Sequence, residues 1–258
     1  MTNILDKNIQ NALFNYILGL GDDRLILGHR LSEWCGHAHI LEEDIALGNI
    51  GLDLIGQASA YLSLAAEVEN KNRTEDDLAY FRNEYEFKNF QLVEQPNIDF
   101  AYTIVRQFFF DVYEGIFLEE LAKSKFEQMA GIAKKSIKEN IYHTRHSRNW
   151  ILRLGDGTEE SHVKTQTAIN DLWKFTGEIF SENENDNILI NENFAPDLKP
   201  LKSKWNEIIK SVLNEATLEM PENIGFSSGS RSGIHTEHLG HLLAEMQIVA
   251  RSFPGAKW

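Results

Sequence analysis

Lys138-Glu139-Asn140-Ile141-Tyr142-His143-Thr144-Arg145-His146-Ser147-Arg148-Asn149-Trp150 is the stretch on which the fold assignment turns. Written on a helix, Glu139, His143, His146 and Trp150 stand at i, i+4, i+7 and i+11 and share one stripe. A carboxylate-bridged metal pair inside a four-helix bundle takes a Glu from each of two helices and a Glu-x-x-His from each of the other two. This stretch approaches that pattern and misses it. Three residues after Glu139 comes Tyr142, and the first His arrives one position late. The reading is an all-helical bundle whose metal centre is lost or was never present.

Elements on either side agree with helices. Asn11 to Arg30 places Leu13, Phe14, Ile17, Leu18, Leu20 and Leu25 at helical spacing, with Gly19-Leu20-Gly21 weakening the middle and permitting close packing. Leu41 to Ala65 is apolar around much of its surface, with Gly48, Gly51 and Gly56, the profile of a buried central helix. Its opening acids Glu42, Glu43 and Asp44 suit a helix N-terminus. Thr74 and Asp99 are expected caps, the second opening a helix over 100–121 in which Phe108, Phe109 and Phe110 point to more than one neighbour. The helix from Glu127 to about Leu154 should end at Gly155-Asp156-Gly157 with a left-handed glycine. Thr158 caps a run through Trp173 to Phe180. Residues 181–200 read as a surface loop and 201–215 as helix. The Gly/Ser-rich segment 221–233 reads as a turn, followed by a last helix near 236–250. A single helical domain over 1–258 follows.

Composition excludes several functions. The formal charge of −14 would repel nucleic acid. One cysteine, Cys35, rules out an internal disulfide and a thiolate cluster. No apolar run reaches the roughly 18 residues of a membrane span, so a soluble cytoplasmic protein is expected.

Donors for a metal pair roughly 3.5–4 Å apart are scarce. Asn49 and Asp53 lie at i and i+4 on the second helix, which has no His. Glu33, Glu114 and Glu119 are acids of the kind any acidic helix carries. Lys138, Arg145 and Arg148 would satisfy buried acids in a metal's place. His238, His241 and Glu245 can be drawn as a mononuclear site. A plainer reading has the preceding glycine turn set His235 and Glu237 for hydrogen bonds at a helix end or a subunit contact. His37 and His39 beside Cys35 read as surface residues, and nothing nearby marks Cys35 as reactive. The Gly19-x-Gly21 and Gly155-x-Gly157 pairs are too short for a phosphate loop. Asp22, Asp23, Arg24, Arg153 and Asp156 could instead pair these two glycine segments with each other.

Longer stretches carry a resemblance. They are GDDRLILGHRLSEWCG over 21–36, LEEDIALGNIGLDLIGQ over 41–57, EQPN over 94–97, YHTRH over 142–146 and RLGDGTEESH over 153–162. GIHTEHLG over 233–240, LAEMQ over 243–247 and the closing PGAKW over 254–258 complete the set. Together they resemble the C-type subunits of the phenylacetyl-CoA epoxidase family, over nearly the whole chain. The resemblance implies an all-α, ferritin-like helical bundle with extra C-terminal helices. It implies a structural, metal-free subunit of a multicomponent monooxygenase that epoxidises phenylacetyl-CoA with O2 in aerobic phenylacetate degradation. The implied partners are a catalytic A subunit, paired as a heterodimer or higher assembly, and a reductase subunit, with self-association open. Di-iron, NADPH, flavin and an iron–sulfur cluster are implied in those partners and no cofactor in this chain. No catalytic, cofactor-binding or metal residue carries over, because Tyr142 stands where a histidine would be expected. The alternative is a divergent di-iron oxygenase using Glu33, Glu119, Glu139 and His143.

Overall fold

The computed structural model describes residues 6–222 and 225–256. Regular structure among them is entirely helical: α1 Lys7–Ser32, α2 Leu41–Glu69, α3 Glu75–Tyr80, α4 Phe100–Leu121, α5 Glu127–Gly155, α6 Glu159–Trp173, α7 Glu184–Asn191, α8 Lys199–Glu215 and α9 Glu237–Ser252. The chain is thus all-α, a ferritin-like helical bundle with extra C-terminal helices. None of the described helices is long and apolar enough to cross a membrane.

Local chemistry sets the helix starts. The side chains of Asp6, Thr74, Asp99, Thr158 and Asn183 each accept a backbone N–H that the first turn would leave unpaired. The last of these opens α7 inside the stretch expected to be loop. Only Asp186 and Leu189 of α7 are buried, so its apolar periodicity is too faint to read. Helix α5 ends differently from expectation. Neither Gly155 nor Gly157 is left-handed. Gly155 is instead required by close approach, since a Cβ there would meet the Ala216 carbonyl and lie 2.8 Å from the Leu218 side chain.

Two compact units make up the chain. The first gathers described residues of Met1–Glu94, Asn183–Phe194 and Gly229–Trp258. Its centre is α1 on α2, and Leu13, Ile17, Leu20 and Leu27 of α1 and Leu47, Ile50, Leu54 and Tyr61 of α2 are all buried. The α1 glycines do not interrupt the helix. A Cβ on Gly21 would lie 2.8 Å from Leu62 Cδ2, and one on Gly28 would lie 3.1 Å from the Gly51 carbonyl oxygen. Here α2 departs from the fully buried helix expected. Leu41, Ile45 and Leu52, 70%, 54% and 68% exposed, share one stripe at i, i+4 and i+11.

The second unit gathers described residues of Gln95–Glu182 and Ala195–Ser228. Helix α4 is its axis and packs on α5, α6 and α8. The three consecutive phenylalanines are all buried, as their spacing demands. Phe109 meets Trp173 and Trp205 edge-on at 5.6 and 5.7 Å, and Trp205 Nε1–H donates to the Phe109 carbonyl at 3.0 Å. The described part of the Gly/Ser-rich segment holds a single 3-10 turn, Ser230–Ser232, between Gly229 and Gly233 at φ +107° and +86°. A Cβ on Gly233 would collide with the Tyr85 carbonyl, so glycine is needed there on two counts.

Candidate functional site

Each unit encloses a polar interior. In the second unit α4 contributes Gln107, Asp111 and Glu114, and α5 contributes Asn140, His143 and Ser147, all six buried. Asp111 accepts from Gln107 Nε2 at 2.7 Å and contacts Ser147 Oγ at 2.7 Å. Asn140 Nδ2 and Thr144 Oγ1 donate to the Asp111 backbone carbonyl. Among the described residues no cation faces Asp111. Burial pushes its carboxyl up to about 8, the Ser147 and Gln107 hydrogen bonds pull it back part of the way, and the Glu114 charge adds to the rise. At neutral pH the acid is mostly protonated.

This geometry corrects the register read from the sequence. The inward pair on α5 is Asn140-x-x-His143; of the stripe Glu139, His143, His146 and Trp150 read from the sequence, only His143 is buried. Tyr142 is 37% exposed and stacks on His146 at 6.2 Å. The place of the Glu in a Glu-x-x-His is held by an amide, which carries no charge to offer a metal. A true Glu-x-x-His does stand elsewhere in the chain, at Glu159-Glu160-Ser161-His162. It occupies the first turn of α6, where Glu159 is exposed and His162 Nδ1 sits 2.8 Å from the Gly155 carbonyl, so the motif faces the surface.

The cations expected to neutralise buried acids do not. Lys138 and Arg145 are exposed, and Arg148 pairs with Glu215 at 2.6 Å. Glu119 is exposed and pairs with Lys204, Glu33 is exposed and pairs with Arg30, and Glu139 is half-buried. Asn49 is exposed and Asp53 half-buried.

In the first unit the polar interior is an ion-pair network. Arg24 Nε donates to Gln57 Oε1 at 3.1 Å and its guanidinium lies 4.6 Å over the Tyr61 ring. A fixed cation therefore occupies the α1–α2 contact, and α2 has no imidazole. Arg82 grips both oxygens of Asp22, and Arg231 pairs with Asp23 at 2.7 Å. These pairs replace the link to Arg153 and Asp156 expected from the sequence. Burial pushes the Asp23 carboxyl up, with Arg231, the Phe90 amide and Arg24 opposing the rise. Glu94 accepts from Asn89 Nδ2 at 2.9 Å and from the Thr236 amide at the start of α9, and contacts His235 Nδ1 at 3.0 Å.

His235 bears out the helix-end reading. Its Nε2 is 3.0 Å from the Phe87 carbonyl, so both ring nitrogens face acceptors and both must donate. Burial lowers its pKa, but the hydrogen bond and charge of Glu94, the Phe87 carbonyl and Asp22 outweigh burial and raise it above the ordinary value. A raised folded-state pKa contributes stability that is complete below the unfolded value near 6.5 and is lost as pH climbs through the folded value. His235→Gln is expected to lower the melting temperature most at about pH 6, with the gap to wild type narrowing toward about pH 9. A gap that stays constant across that range would contradict the charged imidazole.

His241 and Glu245 are exposed, as are His37, His39 and Cys35. Among the described residues no group of three or more His, Cys, Asp or Glu side chains is placed to hold a metal ion.

Comparison with known proteins fits this architecture. The sequence profile of the family described as Phenylacetic acid catabolic protein matches residues 2–258. The chain is 49% identical over 248 residues to the C-type subunit of 1,2-phenylacetyl-CoA epoxidase from Escherichia coli (strain K12), covering 96% of this chain and 100% of that protein.

Proposed function

Since this chain belongs to the phenylacetic acid catabolic protein family and is of the same type as the C component of phenylacetyl-CoA epoxidase, we propose that it is the metal-free structural subunit of such an epoxidase. In this reading it supports a homologous catalytic A subunit that holds the di-iron centre in aerobic phenylacetate degradation. A reductase subunit with flavin and an iron–sulfur cluster brings electrons from NADPH. The assembly works in the cytoplasm, and the two units of this chain belong to one domain over 1–258.

The observation that carries the reading is the donor set. In the second unit the amide Asn140 stands where a Glu-x-x-His would put its Glu beside His143, so the interior offers one imidazole with the acids Asp111 and Glu114, where a metal pair takes two Glu-x-x-His and two further Glu. In the first unit Arg24 places a cation, not a ligand, at the α1–α2 contact. The rival reading needs Glu33, Glu119 and Glu139 as ligands, and two of these are exposed and ion-paired.

A supporting role needs a surface to bury, and α2 supplies one in Leu41, Ile45 and Leu52, beside Glu42 and Glu43. Contiguous exposed apolar side chains rimmed by charge mark protein contacts. Holding a partner's helices in place is useful because a metal site tolerates little ligand displacement. Co-expression with the A subunit of the same organism should give a stable complex and a soluble A subunit. The Leu41→Glu/Leu52→Glu variant should lose most of that complex while keeping its own melting temperature. An A subunit that is soluble and fully active alone would count against the reading.

A further inference from the structure

Helix α5 is electrostatically out of character with its chain. It carries six Lys and Arg against two Glu, in a protein whose formal charge is −14. Lys134, Lys135, Lys138 and Arg145 are exposed. Arg148 finds Glu215, but these four meet no carboxylate among the described residues. They frame two exposed apolar side chains, Ile141 at 64% and Tyr142 at 37%, and the Arg145 guanidinium lies 5.7 Å over the Tyr142 ring. Successive positions 134, 138, 141, 142 and 145 fall on one helix face, opposite the buried Asn140, His143 and Ser147.

We propose that this face of α5 docks the acidic surface of another protein subunit, in an assembly of the kind proposed above, on which the inference rests. A small apolar centre with a charged rim is the anatomy of a protein contact. Ligand pockets are concave, whereas this face is the convex outer side of a helix. The charge of the rest of the chain disfavours polyphosphate, since any long nucleic acid reaching α5 would also cross acidic surface. A carboxylate-rich protein patch of limited size meets only the cations. The four cations steer its approach, and Ile141 and Tyr142 seal the contact.

Zero-length carbodiimide crosslinking tests this, because it joins a lysine amine to a carboxylate only where the two touch. The assembly is formed by co-expressing the full chain with the other subunits of the same organism's epoxidase, and the crosslinked peptides are sequenced. Lys134, Lys135 or Lys138 should be joined to an Asp or Glu of another subunit. The K134E/K135E/K138E variant should retain that subunit about tenfold more weakly at low salt, with the difference shrinking at high salt. It should keep the wild-type melting temperature, because all three side chains are exposed. An intact assembly crosslinked only through other lysines, with retention unchanged in the variant, would overturn the inference and leave the supporting role standing. Failure of the wild-type chain to join any assembly would overturn both.

Discussion

Replacing Arg82 with methionine is expected to lower the stability of the folded chain by roughly 3–5 kcal/mol, the cost of leaving one partner of a buried pair unmatched. At this chain size that is on the order of 10 °C in melting temperature. Arg82 and Asp22 have side chains only 4% and 0% exposed. Besides both Asp22 oxygens, Arg82 serves the Leu78 and Glu86 carbonyls, and its guanidinium lies 4.1 Å over the Phe87 ring. Asp22 also accepts the Lys88 amide at 2.8 Å. Losing the guanidinium therefore frees a buried carboxylate and loosens the irregular segment after α3. The double variant Asp22→Asn/Arg82→Met should recover part of the loss, because the orphaned charge is gone while the Lys88 acceptor remains. Melting followed by circular dichroism decides the matter. A shift below about 2 °C for Arg82→Met would mean that the pair contributes little.

Asp111→Asn is expected to act in the opposite direction and only at higher pH. The folded-state pKa of Asp111, about 8, lies above its ordinary 3.8. Below the ordinary value both folded and unfolded chains hold the proton, and the residue costs nothing. Between these two values the unfolded chain releases the proton while the folded chain keeps it, so stability falls as pH rises. Above the folded value the penalty is constant, on the order of several kcal/mol at about 1.4 kcal/mol per pKa unit. An asparagine amide mimics the protonated acid, since its Nδ2 can donate to Ser147 Oγ and its Oδ1 can still accept from Gln107. The variant should match wild type near pH 4 and exceed it by a few kcal/mol near pH 8 in urea unfolding. A variant less stable than wild type at both pH values would show that the ionised carboxylate is held by something in the fold.

Much of the helical course is legible without coordinates. Phe100–Leu121 coincides with the helix expected between the Asp99 cap and Leu121, because a capping side chain and a dense apolar run agree on the same limits. Thr74 and Thr158 cap as their chemistry implies. Helix α7 is not legible, because it buries so little. The buried face of α5 is offset by one residue from the one its charges suggest. Glu139 and Asn140 are neighbours, and a helix places them 100° apart, so choosing the more metal-like residue by charge selects the wrong side.

The ion-pair network is the least legible of all. Asp22 and Arg82 are 60 residues apart, and Asp23 and Arg231 are 208 apart. No periodicity encodes such pairs. Gly21-Asp22-Asp23-Arg24 marks the place only because consecutive charges in the middle of an apolar helix demand buried partners. The exposed stripe on α2 is hidden for the converse reason. Leu41, Ile45 and Leu52 have the composition of a core, and composition alone cannot distinguish a face buried within a chain from one held for a partner.

Metal content of the purified chain tests the central claim most directly. The full chain is expressed in iron-replete medium, separated from every other subunit, and its iron per polypeptide is determined by plasma mass spectrometry for wild type and His143→Ala. The account predicts only trace iron in both, because the amide Asn140 stands where a Glu ligand is needed beside His143 and, among the described residues, no group of three or more His, Cys, Asp or Glu side chains is placed to hold a metal ion. Two irons per chain in wild type, lost in His143→Ala, would contradict it.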